Sequence, residues 1–338
     1  MARLTTFSRL LIILAILAGV FFAVKKFLPQ FSGGGSEATQ TETSASTASG
    51  ENSTAQPSTG TATTVGGDAS AGRPFTFTPP APAGGKLKGV VELGATGFNS
   101  FIVRIDGQKN WKLEKSEFGS SLVHENMATE DDVKNGLKRY IQKMLDYGVS
   151  GKDIHFVVSS GAKKAEVTQK IINGLRSLNY VANEVTPEQE GKYALKCVQP
   201  RGFEGKSFVV DIGSGNTKIV WSSGFGVTAL ESPGAKYFQD GKTDGDVYQD
   251  VSGKAKQIPA NLRETCFIIG GVPFELAKQT RNGSERFTVL KGPGGYTADG
   301  AKQKAGLNIY KAIAEGTGCK QFVFDWDANF TIGFLLTL

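Results

Sequence analysis

Two stretches of this sequence set out an acid, a cluster of glycines with small hydroxyl or amide residues, and a β-branched strand in the same order. The first is VVELGATGFNSFIVRI (residues 90–105), with Glu92, Gly94, Asn99 and Ser100. The second is FVVDIGSGNTKIVW (residues 208–221), with Asp211, Gly213, Ser214, Gly215, Asn216 and Thr217. Glycine lets a backbone turn tightly and bring its N–H groups against an anion, hydroxyl and amide side chains add donors, and the acid can hold a cation through water. One such hairpin is an ordinary turn. Its recurrence predicts two facing loops that grip phosphate from both sides.

The rest of the composition narrows the chemistry. His124 and His155 are the only histidines, which argues against a histidine-rich metal site or a Ser-His-Asp triad, so acid-base work falls to carboxylates. Cys197, Cys266 and Cys319 lie too far apart for a CxxC knuckle and read as buried small hydrophobes. A net charge of +6 is thinly spread, with no block of five or six Lys or Arg, so nucleic acid is not indicated. Asp325 and Asp327 flank Trp326 and read as a surface turn, with a metal pair as the rival reading. Trp111, Trp221 and Trp326 read as packing.

The elements that position the two loops follow from periodicity. GVVEL and FIVRI form one hairpin, SFVVDIG and TKIVWSS the next. Thr129 opens a helix in a capping-box-like T-x-x-D, and Val133, Leu137, Ile141, Met144 and Leu145 form its apolar stripe as far as Tyr147, before Gly148 ends it. IHFVVSS is a buried strand followed by the helix AEVTQKIINGLRSL. CFIIGG is another strand, leading into FELAKQ, and FVFDWD with FTIGFLLTL closes the chain as the final strands. Mixed strands and helices in this order predict an α/β architecture with two related halves.

Ahead of this lies different material. Residues 10–24 (LLIILAILAGVFFAV) carry no charge, are preceded by Arg3 and Arg9, and are followed by Lys25, Lys26, Phe27 and Leu28. Counting Phe27 and Leu28, with the lysines snorkelling, residues 1–29 predict an uncleaved single-pass membrane anchor. Lys-Lys-Phe-Leu-Pro is a poor signal-peptidase site. Residues 30–87 are rich in Gly, Ser, Thr and Pro and predict a disordered tether with a span of roughly 40 Å. A nine-residue leading tail favours the cytoplasm, which places the globular part outside it.

From about residue 88 to residue 338 the chain resembles the exopolyphosphatase/guanosine-pentaphosphatase (Ppx/GppA) family of the actin-like superfamily. DIGSGNTKIV is similar to that family's second phosphate loop in Asp211, Gly213, Gly215 and Thr217. ELGATGFNSF is similar to its first, keeping Gly94, Asn99, Ser100 and Phe101, with Glu92 for Asp and Ala95-Thr96-Gly97 inserted. FVVSSGAKKA matches a third segment, with Ser159 for Thr and Lys163 for Arg. EVTPEQEGKYALKCV sets Glu190 on the carboxylate that positions water. SPGAKYF (residues 232–238) matches a further strand, and Gly270 and Gly271 of FIIGGV match a diglycine that lies near nucleotide.

The resemblance implies an actin-like (ribonuclease H-like) two-lobed fold, with subdomains at 88–205 and 206–338. It implies Mg²⁺ held by Glu92 and Asp211, a polyphosphate or nucleotide polyphosphate between the lobes, and Glu190 as the catalytic group. One departure stands out: the acid that follows the second loop is here Lys218, which suits phosphate and cannot hold Mg²⁺. Without the resemblance, Glu190, Lys163, Lys164 and Lys218 read as solvated. Three functions therefore stay open: a phosphohydrolase, a degenerate phosphate-sensing module, and an actin-like ATPase adaptor.

Overall fold

The computed structural model describes residues 75–94, 97–120, 130–163, 166–224 and 226–338, all within a single unit spanning residues 63–338. The expected anchor, the tether up to residue 74, and Ala95, Thr96, His124, Thr129 and Lys164 lie outside the described residues. Among the described residues, no helix is long and apolar enough to cross a membrane.

Two mixed sheets repeat one plan. In the first, β1 (Lys86–Leu93), β2 (Gly97–Ile105) and β3 (Trp111–Ser120) form an antiparallel meander. On the other side of β1, β4 (Ile154–Val158) and β5 (Ala182–Glu184) continue in parallel, giving the order β3-β2-β1-β4-β5. In the second, β6 (Ser207–Ile212), β7 (Asn216–Ser223) and β8 (Gly226–Pro233) form the meander. There β9 (Thr265–Gly270) lies parallel to β6, and β10 (Phe287–Val289) pairs antiparallel with β11 (Gln321–Asp325), itself parallel to β9. The expected hairpins are β1–β2 and β6–β7. Each is the first hairpin of its sheet, as two related halves require.

The helices form layers that explain the apolar strands. α1 (Glu130–Asp146) and α2 (Glu166–Ser177) cover one face of the first sheet, where Val133, Leu137, Ile141 and Met144 meet Val91, Phe156 and Val158. Leu145 departs from the expected stripe and is exposed, as is Tyr147. α3 (Pro187–Val198) starts in a full capping box, with Thr186 accepting from the Gln189 N–H and Gln189 from the Thr186 N–H. α4 (Asp244–Ala255), α5 (Gly271–Lys278) and α6 (Gly300–Thr317) cover the second sheet. Strands covered on both faces read as near-continuous Val and Ile runs.

The last segment corrects the sequence reading: FTIGFLLTL is not a strand, and its Phe330–Leu335 portion is α7. Asn329 caps it by accepting from the Thr331 N–H at 2.8 Å, and every residue of α7 is buried. A short, wholly buried apolar run has no polar face from which to read a period. α7 packs on α3 so closely that a Cβ at Gly333 would lie 1.9 Å from the Tyr193 carbonyl oxygen. Both helices sit in a core that also takes Val90 and Phe101 from the first sheet and Val209, Val220 and Phe267 from the second.

The end of the expected tether is also different. Phe75 and Phe77 pack against this shared core, with the Phe75 ring centroid 5.2 Å from Phe287, 5.4 Å from Phe203 and 5.6 Å from Phe267. β1 itself begins at Lys86. Ordered, core-building chain therefore starts before the residue 87 boundary, because two phenylalanines among prolines and threonines still supply enough apolar area to anchor a strap.

Candidate functional site

The two hairpins bring like positions together. In β1–β2, Glu92 lies directly opposite Asn99, and in β6–β7, Asp211 lies directly opposite Lys218. Both pairs line one cavity of about 410 Å³ between the sheets, together with Gly94, Ser159, Gly161, Glu190, Gly213, Ser214, Gly215, Asn216, Gly270 and Gly271. All but two of the residues expected at the site are therefore assembled. Ser100 and Thr217 are the exceptions. Successive residues of a strand face opposite sides, so these neighbours of Asn99 and Lys218 point away. Ser100 is buried toward Met144 and Tyr140, and the Thr217 hydroxyl donates to the Pro233 carbonyl at 2.9 Å. Lys163 is exposed and does not line the cavity.

Glycine is required where backbones meet. A Cβ at Gly215 would lie 3.2 Å from the Gly161 Cα, and one at Gly234, in the SPGAKYF segment, 2.4 Å from the Asn216 nitrogen. The second loop is thus pinned from two sides. Gly270 has a positive φ of 112°, which turns β9 directly into α5.

The charged floor is the main surprise. Lys218 is 3% exposed and Glu190 2%, although both read as solvated from the sequence without the resemblance. Lys218 Nζ lies 2.6 Å from Glu190 Oε1 and 3.7 Å from Asp211 Oδ2. The other Glu190 oxygen accepts from the Ser160 N–H at 3.0 Å and from the Ser160 hydroxyl. Asn216 donates to that hydroxyl at 2.9 Å and to Glu231 at 2.7 Å. Glu92 accepts from Asn99 and from Asn329, each at 2.9 Å. One network thus ties β4's end, α3 and β7 together, and the cap of α7 reaches the same floor.

Burial sets the protonation of these groups. It pushes Glu92 up to about 7, against the pull of the two amide donors, and the Glu190 and Asp211 charges add to the rise. Burial also raises Asp211, with Lys218 pulling it back. For Lys218 burial acts downward, yet the charges of Asp211 and Glu190 outweigh it and the ammonium is stabilised.

These residues do not fit Mg²⁺. An ammonium already sits against both Glu190 and Asp211, and among the described residues no group of three or more His, Cys, Asp or Glu is arranged to hold a metal ion. One Glu92 oxygen is engaged by two amide donors, Asn99 and Asn329. The expected metal roles of Glu92 and Asp211 therefore have no support in the geometry. The other proposed metal pair is an ion pair too: Arg286 makes two bonds to buried Asp325, at 3.0 and 3.1 Å, and lies against Trp111. The three cysteines are buried and free, as expected.

Ser160, Asn329, Phe118, Phe274 and Lys302 belong to the cavity or its network and were not singled out in the sequence. Only Asn329 carried a local signal, an Asn immediately before an apolar run.

Neither a protein-family model nor a curated protein matches the sequence significantly. Solved structures do match. A Ppx/GppA family member from Aquifex aeolicus is 18% identical, with a TM-score of 0.57 over 75% of this chain and 97% of that one. Another structure of the Aquifex aeolicus PPX-GPPA enzyme gives 19% identity and a TM-score of 0.58, over 75% of this chain and 99% of that one. An exopolyphosphatase from Cytophaga hutchinsonii is 12% identical, with a TM-score of 0.55 over 75% and 97%. The mixed α/β, two-sheet fold is the one these Ppx/GppA structures share, as the motifs implied.

Proposed function

With the Ppx/GppA fold as premise, we propose that this domain binds a phosphate-bearing ligand, a polyphosphate or a nucleotide polyphosphate, in the cleft between its sheets, and does so without Mg²⁺. The observation that carries this reading is Lys218 Nζ at 2.6 Å from Glu190. A general base must have an oxygen free to take a proton from water. Here one Glu190 oxygen is held by an ammonium and the other by Ser160. Breaking such a buried pair costs roughly 3–5 kcal/mol. That is about as much as general-base catalysis typically contributes, roughly 3–5 kcal/mol, so freeing Glu190 would cancel most of its gain and recognition is favoured over efficient hydrolysis.

Recognition itself falls to the glycine-lined rim. Gly94, Gly161, Gly213 and Gly215 carry no side chains to fend off a ligand, and Ser214 adds a hydroxyl. The test is calorimetric titration of the full-length chain with tripolyphosphate and ATP, in EDTA and in Mg²⁺, alongside phosphate release. Equal binding in both media with negligible release is expected. Mg²⁺-dependent turnover would overturn the reading.

We also infer that residues 10–24 anchor the chain in a membrane with the domain outside the cytoplasm. Support comes from the uncharged run and the arginines, Arg3 and Arg9, ahead of it. A reporter active only outside the cytoplasm, fused after residue 338, should be active, and cytoplasmic activity would reverse the orientation.

A further inference from the structure

Above the charged floor, the wall of the cleft is aromatic and is built from both sheets. Phe101 of β2 and Phe118 of β3 have ring centroids 5.9 Å apart, Phe118 lies 6.2 Å from Phe274 of α5, and Phe274 lies 5.3 Å from Trp326. All four rings line the same cavity as the glycine loops. Phe118 is 66% exposed, the most exposed aromatic side chain among the described residues. Core packing does not explain it. A lone exposed ring would mean little, but this one continues a contiguous aromatic wall that lines the cavity, which is the mark of a ligand-contacting surface.

The same cavity contains a cation that the floor does not use. Lys302, on the first turn of α6, is half-buried, and a Cβ at Gly271 would lie 3.6 Å from its Nζ. It makes no salt bridge with any described residue: its acidic neighbour Glu275 acts on it only from beyond ion-pair distance and is itself paired with Lys278 at 3.2 Å. Lys218, by contrast, has two carboxylates against it. Of the two lysines lining the cavity, only Lys302 is free to meet an anion.

A linear inorganic polyphosphate gives the aromatic wall nothing to hold. A phosphate chain ending in a planar ring satisfies both features at once. We propose that the cleft selects a nucleoside phosphate over a linear polyphosphate, with the ring against Phe118 and Phe274 and the anionic chain paired with Lys302. This rests on the phosphate-binding reading above and narrows it to one ligand class.

ATP and tripolyphosphate share a triphosphate chain and differ by the nucleoside and one ionisable terminal oxygen, so Phe118→Ala, which removes a ring and no charge, isolates the ring. In EDTA, ATP should bind the full-length chain about 10-fold more tightly, within the range expected for one base stacked on aromatic side chains. Phe118→Ala should remove about that factor for ATP and leave tripolyphosphate unchanged. Its exposure means folding is not at stake. Phe274→Ala should act in the same direction, and Lys302→Gln should weaken both ligands. If tripolyphosphate binds as tightly as ATP, or Phe118→Ala leaves ATP unaffected, the ring selectivity is wrong while phosphate binding stands. If neither ligand binds, phosphate binding itself is wrong and the selectivity falls with it.

Discussion

Glu92 gives the most direct physical test of the site. Its ordinary value of 4.5 is pushed up to about 7 by burial. At about 1.4 kcal/mol per tenfold, this corresponds to about 3 kcal/mol of difference between the protonated and ionised forms in the folded state. Because the folded state holds this proton more tightly than the unfolded chain, the stabilising contribution is fully present below pH 4.5. It is lost as pH rises, and is gone once pH has passed through 7. Glu92→Gln should remove the effect. The amide oxygen can accept the same two bonds from Asn99 and Asn329 and never ionises. Urea unfolding of the full-length wild type and variant at half-unit steps from pH 4.5 to 8.5 is the assay. The two should be nearly equal at the acid end, and the variant should be more stable by about 3 kcal/mol at the alkaline end. Asp325 and Asp327 also have raised values, but they are common to both chains and cancel in the difference, while Asp211, whose charge acts on Glu92, is part of the effect measured. Parallel stability curves would show that Glu92 is solvated and that the floor is not the dry, charge-crowded site described.

Ligand binding should follow the same titration: with Glu92 ionised the floor gains a negative charge, so tripolyphosphate affinity measured by calorimetry should fall as pH rises through about 7 and be flatter in Glu92→Gln. Rising affinity over that range would contradict it. Lys218→Glu places a fourth carboxylate beside Glu92, Glu190 and Asp211, so in EDTA the variant should lose roughly 3–5 kcal/mol of stability. Millimolar Mg²⁺ should restore part of this loss while leaving wild-type melting unmoved. An equal Mg²⁺ effect on both chains would put the metal elsewhere. Phe75→Ala and Phe77→Ala should each cost about 2 kcal/mol in urea unfolding, less than a fully buried phenylalanine because both rings are half-buried. No loss would mean that the strap is not part of the core.

What the sequence revealed and what it hid divide along sequence distance. The paired hairpins were legible because an acid, glycines and a β-branched strand lie within one short stretch, and glycine has few reasons to cluster at a strand end other than a turn or a close approach. Ser100 and Thr217 were assigned to the loops because they are adjacent to loop residues in the motif. The β6–β7 turn is so tight that β7 begins at Asn216, so Thr217 is already in the ladder and faces the other way. The strap, the buried helix α7 and the aromatic wall share a different cause, since each owes its place to partners more than a hundred residues away. Phe75 against Phe267 and Phe118 against Phe274 leave no local periodicity to detect.

Lys218 is the clearest case, and it carries the functional argument. In sequence it is a single departure from a motif; its meaning depends on Glu190, 28 residues earlier, which folds back on α3 to within 2.6 Å. The floor holds three acids and one lysine in a setting with little water. Glu190 and Asp211 already exceed Lys218 by one negative charge and an ionised Glu92 would make the excess two, so burial and those two carboxylates together hold the Glu92 proton, with a value near 7. A site built this way offers an anion no net attraction at its floor. The attraction must come from the backbone amides of the glycine rim and from Lys302 at the wall. A ligand drawn to those groups lies higher in the cleft than one drawn to a floor metal, and that is where the aromatic rings are.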